Sequence, residues 1–149
     1  MSDFITKIIP VLSDYVVTEE EAARVIEWLT ARVRADQITF RTSDQPEFVD
    51  CGDQLLKITC PSCSSELSFD WWGEAVQTSF ERSEFSDLIA VTECCGSQVS
   101  LNDLHYEAPC GFSRVEFDIY NPAETVGEEV LRQIEEMLGC EVRLIHAHI

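Results

Sequence analysis

Ser113-Arg114-Val115-Glu116-Phe117-Asp118-Ile119-Tyr120 alternates without a break: Val115, Phe117 and Ile119 fall on one side of an extended chain, Arg114, Glu116 and Asp118 on the other. Such alternation predicts a half-buried strand. Asn121-Pro122 stops it, because proline fixes φ and offers no amide proton. Val126, Val130, Ile134 and Leu138, joined by Leu131 and Met137, then recur at helical spacing, and Gly139 supplies a C-cap. Residues 142–149 predict a final, well-buried strand. The C-terminal third is therefore strand, turn, helix, glycine, strand.

The N-terminal third can be laid over that order. Thr18-Glu19-Glu20-Glu21 is a capping box that places three acids at the positive end of a helix. Ala22, Val25, Ile26, Leu29 and Val33 form its apolar stripe, with Arg24, Glu27 and Arg34 on the wet side. Ahead of it, residues 4–11 fit either a helical stripe or an interrupted strand, with Pro10 costly in both. The match to the other end of the chain favours the strand, and residues 38–41 predict a short one after the helix. Two β-α-β halves, 1–50 and 112–149, predict an α+β fold: a ferredoxin-like split β-α-β sandwich, two helices covering one face of an antiparallel sheet, as a single domain over 1–149.

Residues 51–111 lie between the halves as an inserted subdomain. Cys60-Pro61-Ser62-Cys63 follows a strand-like run at 55–59 and precedes residues 66–72, where Leu67, Phe69 and Trp71 alternate with Ser68 and Asp70. Cys94-Cys95-Gly96 stands between strand-like runs at 88–91 and 99–101. Two cysteine turns at hairpin tips predict a zinc ribbon, since tetrahedral Zn²⁺ takes four thiolates. The expected ligands are Cys60, Cys63, Cys94 and Cys95. Adjacent cysteines in a strand point to opposite faces, so the chain must bend between Cys94 and Cys95, which Gly96 eases. If one cannot reach, Cys51, Cys110 or His105 is the substitute. A closed four-thiolate site stabilises a fold and activates no water. The same C-x-x-C admits a thiol-disulfide oxidoreductase, but that chemistry needs a helix N-terminus at the first cysteine, and the alternation at 66–72 predicts a strand instead.

Charge narrows the partners. The 149 residues carry 28 Asp and Glu against 10 Lys and Arg, a net charge of −18, which opposes any partner with a phosphate backbone. Across 51–111 the basic residues are only Lys57 and Arg82, so a nucleic-acid-associated zinc ribbon is the weaker alternative to one that meets a basic protein. A mean hydropathy of −0.05 is ordinary for a globular chain. Residues 1–15 lack the basic and apolar regions of a secretory signal, and no apolar run is long enough to span a bilayer, so the expected compartment is the cytoplasm and the seven cysteines are expected to be reduced.

On a strand one of Trp71 and Trp72 faces away from the core, and residues 73–90 predict a mobile loop mixing acids and aromatics. Trp72, Phe80, Glu81, Glu84, Phe85 and Asp87 are therefore the expected partner contacts. His146 and His148 share a face of the last strand with no further ligand beside them by spacing, and count as strand-end histidines. No G-x-S-x-G elbow, phosphate loop or dinucleotide turn occurs, so nothing supports an enzyme and no catalytic residue is assigned. The expected function is a non-catalytic, acidic, zinc-binding interaction module, of the immunity or adaptor kind.

Cys60-Pro-Ser-Cys63, Trp71-Trp72, Cys94-Cys95-Gly96, the stretch Leu101 to Tyr106, Pro109 with Gly111-Phe112, and Asn121-Pro122 together resemble a family of small bacterial proteins that pair C-P-x-C with C-C-G in a zinc-ribbon-like motif. The resemblance covers residues 48–149. It implies the same four zinc ligands and a bacterial origin, and no activity.

Overall fold

The Glu21 amide donates to Thr18 Oγ1 at 3.1 Å, and the Thr18 amide donates back to the Glu21 carboxylate at 3.1 Å. The capping box thus starts the first helix where the sequence puts it. The computed structural model describes residues 3–52 and 57–149. In chain order its elements are β1 (Phe4–Pro10), α1 (Glu19–Arg32), β2 (Gln37–Val49), β3 (Ile58–Thr59), β4 (Glu66–Leu67), α2 (Phe69–Ser83), β5 (Ile89–Val91), β6 (Gln98–Ser100), a 3₁₀ turn (Leu101–Asp103), β7 (His105–Tyr106), β8 (Gly111–Tyr120), α3 (Glu128–Leu138) and β9 (Val142–His148). The protein is α+β, with antiparallel sheets throughout.

The main sheet runs β2-β8-β1-β9. The strand expected at 4–11 is present, and Pro10 sits at its last position, where no further ladder bond is demanded of it. Val115, Phe117 and Ile119 of β8 and Ile8 of β1 meet Ala22, Val25 and Leu29 of α1 and Ile134 and Leu138 of α3 in one apolar cluster. Both helices therefore cover the same face of the sheet. Gly139 caps α3 in the left-handed conformation, φ 73°.

One boundary and one burial pattern differ from expectation. β2 continues to Val49 instead of ending near Arg41, its register against β8 shifting between Thr42 and Glu47. Polar residues and Pro46 hide the second half of the strand, and a break of this kind is where a strand tolerates proline. β9 is an edge strand, burying Ile145 and Ala147 and exposing His146 and His148, so it is half-buried rather than enclosed.

The second face of the sheet is partly covered, because Cys51 and Cys110 pack against Ile9, Val49 and Ile145 there. The same strands enclose charges that alternation alone assigns to solvent. Glu116 is 5% exposed and pairs with Arg41 at 2.8 Å. Lys7 is buried beside it, donating to the Asp50 carbonyl at 3.0 Å. Asp118 Oδ1 is buried with no hydrogen-bond partner among the described residues. Burial, then the neighbouring Glu116 carboxylate, pushes the Asp118 carboxyl up to about 8. A carboxyl raised in the fold costs nothing below its unfolded value near 4, loses stability as pH rises between the two values, and carries its full penalty above about 8. Asp118→Asn is therefore expected to stabilise the protein by roughly 1–2 kcal/mol at pH 8, after allowance for a face partly open to solvent. The gain should vanish below pH 4; melting curves across that range check it.

The elements from β3 to β7 form a second apolar cluster in which Ile58, Cys60, Leu67, Leu88, Val99, Leu101 and Leu104 surround Phe112 of β8. Their sheets, β4-β3-β7 and β5-β6, are only two or three residues long per strand. Leu55 and Leu56, expected to open the strand before Cys60, lie outside the described residues; Ile58–Thr59 is the strand seen.

Residues 66–72 are not one strand. After Glu66–Leu67 the chain turns at Ser68, whose side chain accepts from the Trp71 amide at 3.1 Å and caps α2. The residues that alternate to Trp71 also serve a helical stripe, Leu67, Trp71, Trp72, Ala75 and Val76, which packs on the second cluster. The expected loop at 73–90 is accordingly helix to Ser83, closed by Glu84 and Phe85 in left-handed conformation.

Candidate metal centre

Each cysteine turn is built by two backbone bonds. In the first, the Cys60 amide donates to the Ser65 carbonyl and the Ser64 amide to the Cys60 carbonyl, both at 2.9 Å. In the second, the Thr92 amide donates to the Ser97 carbonyl at 3.0 Å and the Gly96 amide to the Thr92 carbonyl at 3.1 Å. The pattern makes Cys60 equivalent to Thr92, Cys63 to Cys95, and Ser64 to Gly96. Ser64 and Gly96 both adopt left-handed backbone, φ 64° and 67°. Glycine reaches that conformation without a Cβ penalty, which is why the second turn can close behind two adjacent cysteines.

The two turns face each other. Sγ of Cys60 lies 3.8 Å from that of Cys95, Cys63 lies 3.3 Å from Cys94, and Cys94 lies 3.9 Å from Cys95; all four sulfurs fall within 4.8 Å of one another. Four thiolates at 2.3 Å from a tetrahedral ion stand about 3.8 Å apart, whereas a disulfide needs about 2.05 Å. The cluster is compatible with one metal ion, and all four expected ligands belong to it. The bend expected between Cys94 and Cys95 is present: Cys95 takes the position of Cys63, and Cys94 that of Ser62.

The turn groups polarise the sulfurs unequally. Ser65 directs its hydroxyl and amide at Cys63 and holds that thiol below its usual range. Ser97 does the same at Cys95, with Thr92 adding a second hydroxyl, and brings that thiol down to about 6. The Ser97 and Thr92 hydroxyl oxygens lie 3.1 and 3.4 Å from the Cys95 sulfur. Cys60, fully buried, accepts from the Ser62 amide at 3.4 Å. Cys94 is pushed up to about 11, first by desolvation and then by the Cys63 thiol. Ser65, Ser97 and Thr92 escaped sequence reasoning, although a serine two residues after the last cysteine of each turn is a repeated spacing that points to them.

The three named substitutes stand apart from this cluster. Cys51 and Cys110 are buried against the main sheet, and burial with the adjacent Cys51 pushes the Cys110 thiol up. His105 is exposed on β7. His148 stacks on Phe4, ring centres 4.3 Å apart. Cys60 and Cys63 precede β4, with α2 beginning only at Phe69, so neither is at a helix N-terminus.

Of the expected partner contacts, Trp72 is half-buried, donating its indole N–H to the Tyr106 hydroxyl at 3.1 Å and packing edge-on against Phe48. Trp71 likewise donates, to the Val91 carbonyl at 3.1 Å. On a helix the pair therefore faces inward together, and the outward tryptophan expected from a strand does not exist. Phe85 is wedged between Phe80 and Phe112, ring centres 5.2 and 5.1 Å away. Asp87 is occupied, accepting from the Ile89 amide at 3.0 Å and pairing with Arg82 at 3.3 Å. Phe80, 53% exposed, and Glu81 and Glu84, both exposed, remain on the surface. Against protein-family models, curated proteins and solved structures, the chain has no match.

Proposed function

We propose that this chain is a non-catalytic zinc-binding interaction module: a ferredoxin-like split β-α-β sandwich, order β2-β8-β1-β9, with a zinc ribbon inserted over 51–111 that presents an acidic face to a basic protein. The observation that carries it is the four-thiol cluster formed by two equivalent turns. A set of four sulfurs in tetrahedral spacing favours Zn²⁺ over harder ions. Cys60, Cys63, Cys94 and Cys95 would hold the ion, which when bound would close the turns and lend folding energy to very short sheets. Metal analysis of the purified protein, expected at one zinc per chain, tests this part.

The acidic balance of 51–111 supports the choice of partner, and the cytoplasm is the compartment in which the thiols stay reduced. No helix of the described residues is long and apolar enough to cross a membrane. Near the end of α2, Phe80, Glu81 and Glu84 are exposed, and a groove of about 440 Å³ that none of the three lines is bounded by Trp71, Glu74, Ile89 and Val91. An immunity or adaptor role follows if the partner is a basic toxin or effector. Glu81→Lys with Glu84→Lys is expected to weaken association several-fold and make it less salt-dependent, with Tm shifted by under about 2 °C, since exposed charges contribute little to folding. Asp87 is left intact because it caps β5. Equal loss of binding from Glu20→Lys with Glu27→Lys on α1 would place the surface on the sandwich instead.

A further inference from the structure

We infer that Cys94 is the exchangeable ligand of the metal centre, through which the ion passes to an external thiol; this rests on the zinc-binding reading above. The equivalence of the two turns gives the reason. The position that Cys60 occupies in the first turn is held in the second by Thr92, which is 3% exposed and contributes hydroxyl contacts to sulfur rather than a thiolate. The fourth sulfur comes instead from Cys94, at the place of Ser62, where the first turn has no ligand.

That displacement leaves Cys94 differently supported from the other three. Cys60 is buried and accepts from the Ser62 amide, Cys95 lies 3.1 and 3.4 Å from the Ser97 and Thr92 hydroxyls, and Cys63 has beside it Ser65, the counterpart of Ser97. Apart from the other thiols, Cys94 has among the described residues only the Thr92 hydroxyl, which Cys95 shares, and it is exposed. Donors to a ligating sulfur fix its orientation and typically change metal affinity 10–100-fold when lost. Cys94 is thus the least anchored and an accessible ligand. In the exchange an incoming thiolate forms its metal–sulfur bond as Cys94 gives up its own, and Cys94 departs with its electron pair and takes a proton from water. No electron is transferred.

The test is the rate at which zinc-loaded protein surrenders its metal to the chromophoric chelator 4-(2-pyridylazo)resorcinol, with and without reduced glutathione. For the wild type the rate should rise with glutathione. Cys94→Ser should keep a bound zinc but release it at least tenfold faster. Thr92→Cys combined with Cys94→Ser rebuilds the second turn in the image of the first. It should hold one zinc, release it at least tenfold more slowly than the wild type, and lose the dependence on glutathione. A double variant that takes up no zinc or releases it at the wild-type rate overturns the inference, as does a Cys94→Ser protein as metal-free as Cys60→Ser. A wild-type chain that binds no zinc overturns the zinc reading together with it.

Discussion

Cys60→Ser is expected to empty the metal centre and to lower Tm by about 10 °C. Cys60 is fully buried in the second cluster, among Ile58, Leu67, Leu88 and Leu101, and its sulfur is one corner of the four-thiol group. Serine keeps the volume but offers a hydroxyl that binds zinc poorly and lies unmatched in an apolar site. Two and three residues per strand are too few to hold sheets alone, so the loss of metal should expose much of this cluster. At least about 3 kcal/mol is at stake, or roughly 6–12 °C for a chain of this size. Metal analysis and calorimetry measure both quantities, and the emission of Trp71 and Trp72 should shift to the red as their packing loosens. Cys51→Ser and Cys110→Ser should retain the metal. A metal-free Cys60→Ser protein with an unaltered melting curve would exclude a structural role for the site.

The four-stranded sheet and the two helices on it were legible because their sequence obeys one period at a time. β8 alternates, α1 and α3 keep a single stripe, and the Thr18 box and Gly139 mark helix ends by side-chain chemistry that acts locally. α2 was not legible: Leu67, Phe69 and Trp71 satisfy a period of two, and the signal that arbitrates is Ser68 as an N-cap, which a strand reading passes over. The far half of β2 is set by pairing with β8, a non-local cause that polar residues conceal. The four-thiol cluster was legible in composition and spacing, since paired C-x-x-C and C-C-G turns bring thiols together. How Cys94 and Cys95 share one site was not, because it depends on the backbone bonds that align Thr92 with Cys60. Burial of Glu116 and Asp118 likewise depends on neighbours from other strands, Arg41 of β2 and Lys7 of β1, which alternation along β8 cannot report.

Asn102→Ala is expected to cost about 2–4 kcal/mol without removing the metal. Asn102 is 5% exposed and joins the elements between β2 and β8 to the main sheet at two points. Its Oδ1 accepts from the Phe112 amide at 2.8 Å, where β8 begins, and its Nδ2 donates to the Val11 carbonyl at 2.7 Å, where β1 ends. Arg143 of β9 braces the same place, donating to the Asn102 carbonyl at 3.2 Å and to that of Cys110 at 2.8 Å. The fit leaves no room beside it: a Cβ at Gly111 would stand 2.6 Å from the Arg143 guanidinium and 2.8 Å from Asn102 Oδ1. Alanine leaves a buried donor and a partly buried acceptor unpaired, each worth about 1–3 kcal/mol, with partial relief from water entering the gap. Asp103→Ala, at an exposed neighbour, should change stability by under about 0.5 kcal/mol. None of the four clustered thiols is among the partners of Asn102, so metal content should stay at that of the wild type. Phe112 belongs to β8 and is at the same time part of the second cluster, its ring tilted against those of Phe48 and Phe85. Sandwich and insertion should therefore still melt in one transition, only earlier. Two separated transitions in the wild type would show instead that the insertion folds apart from the sheet, and a loss below 1 kcal/mol in Asn102→Ala would show that the junction is held by packing alone.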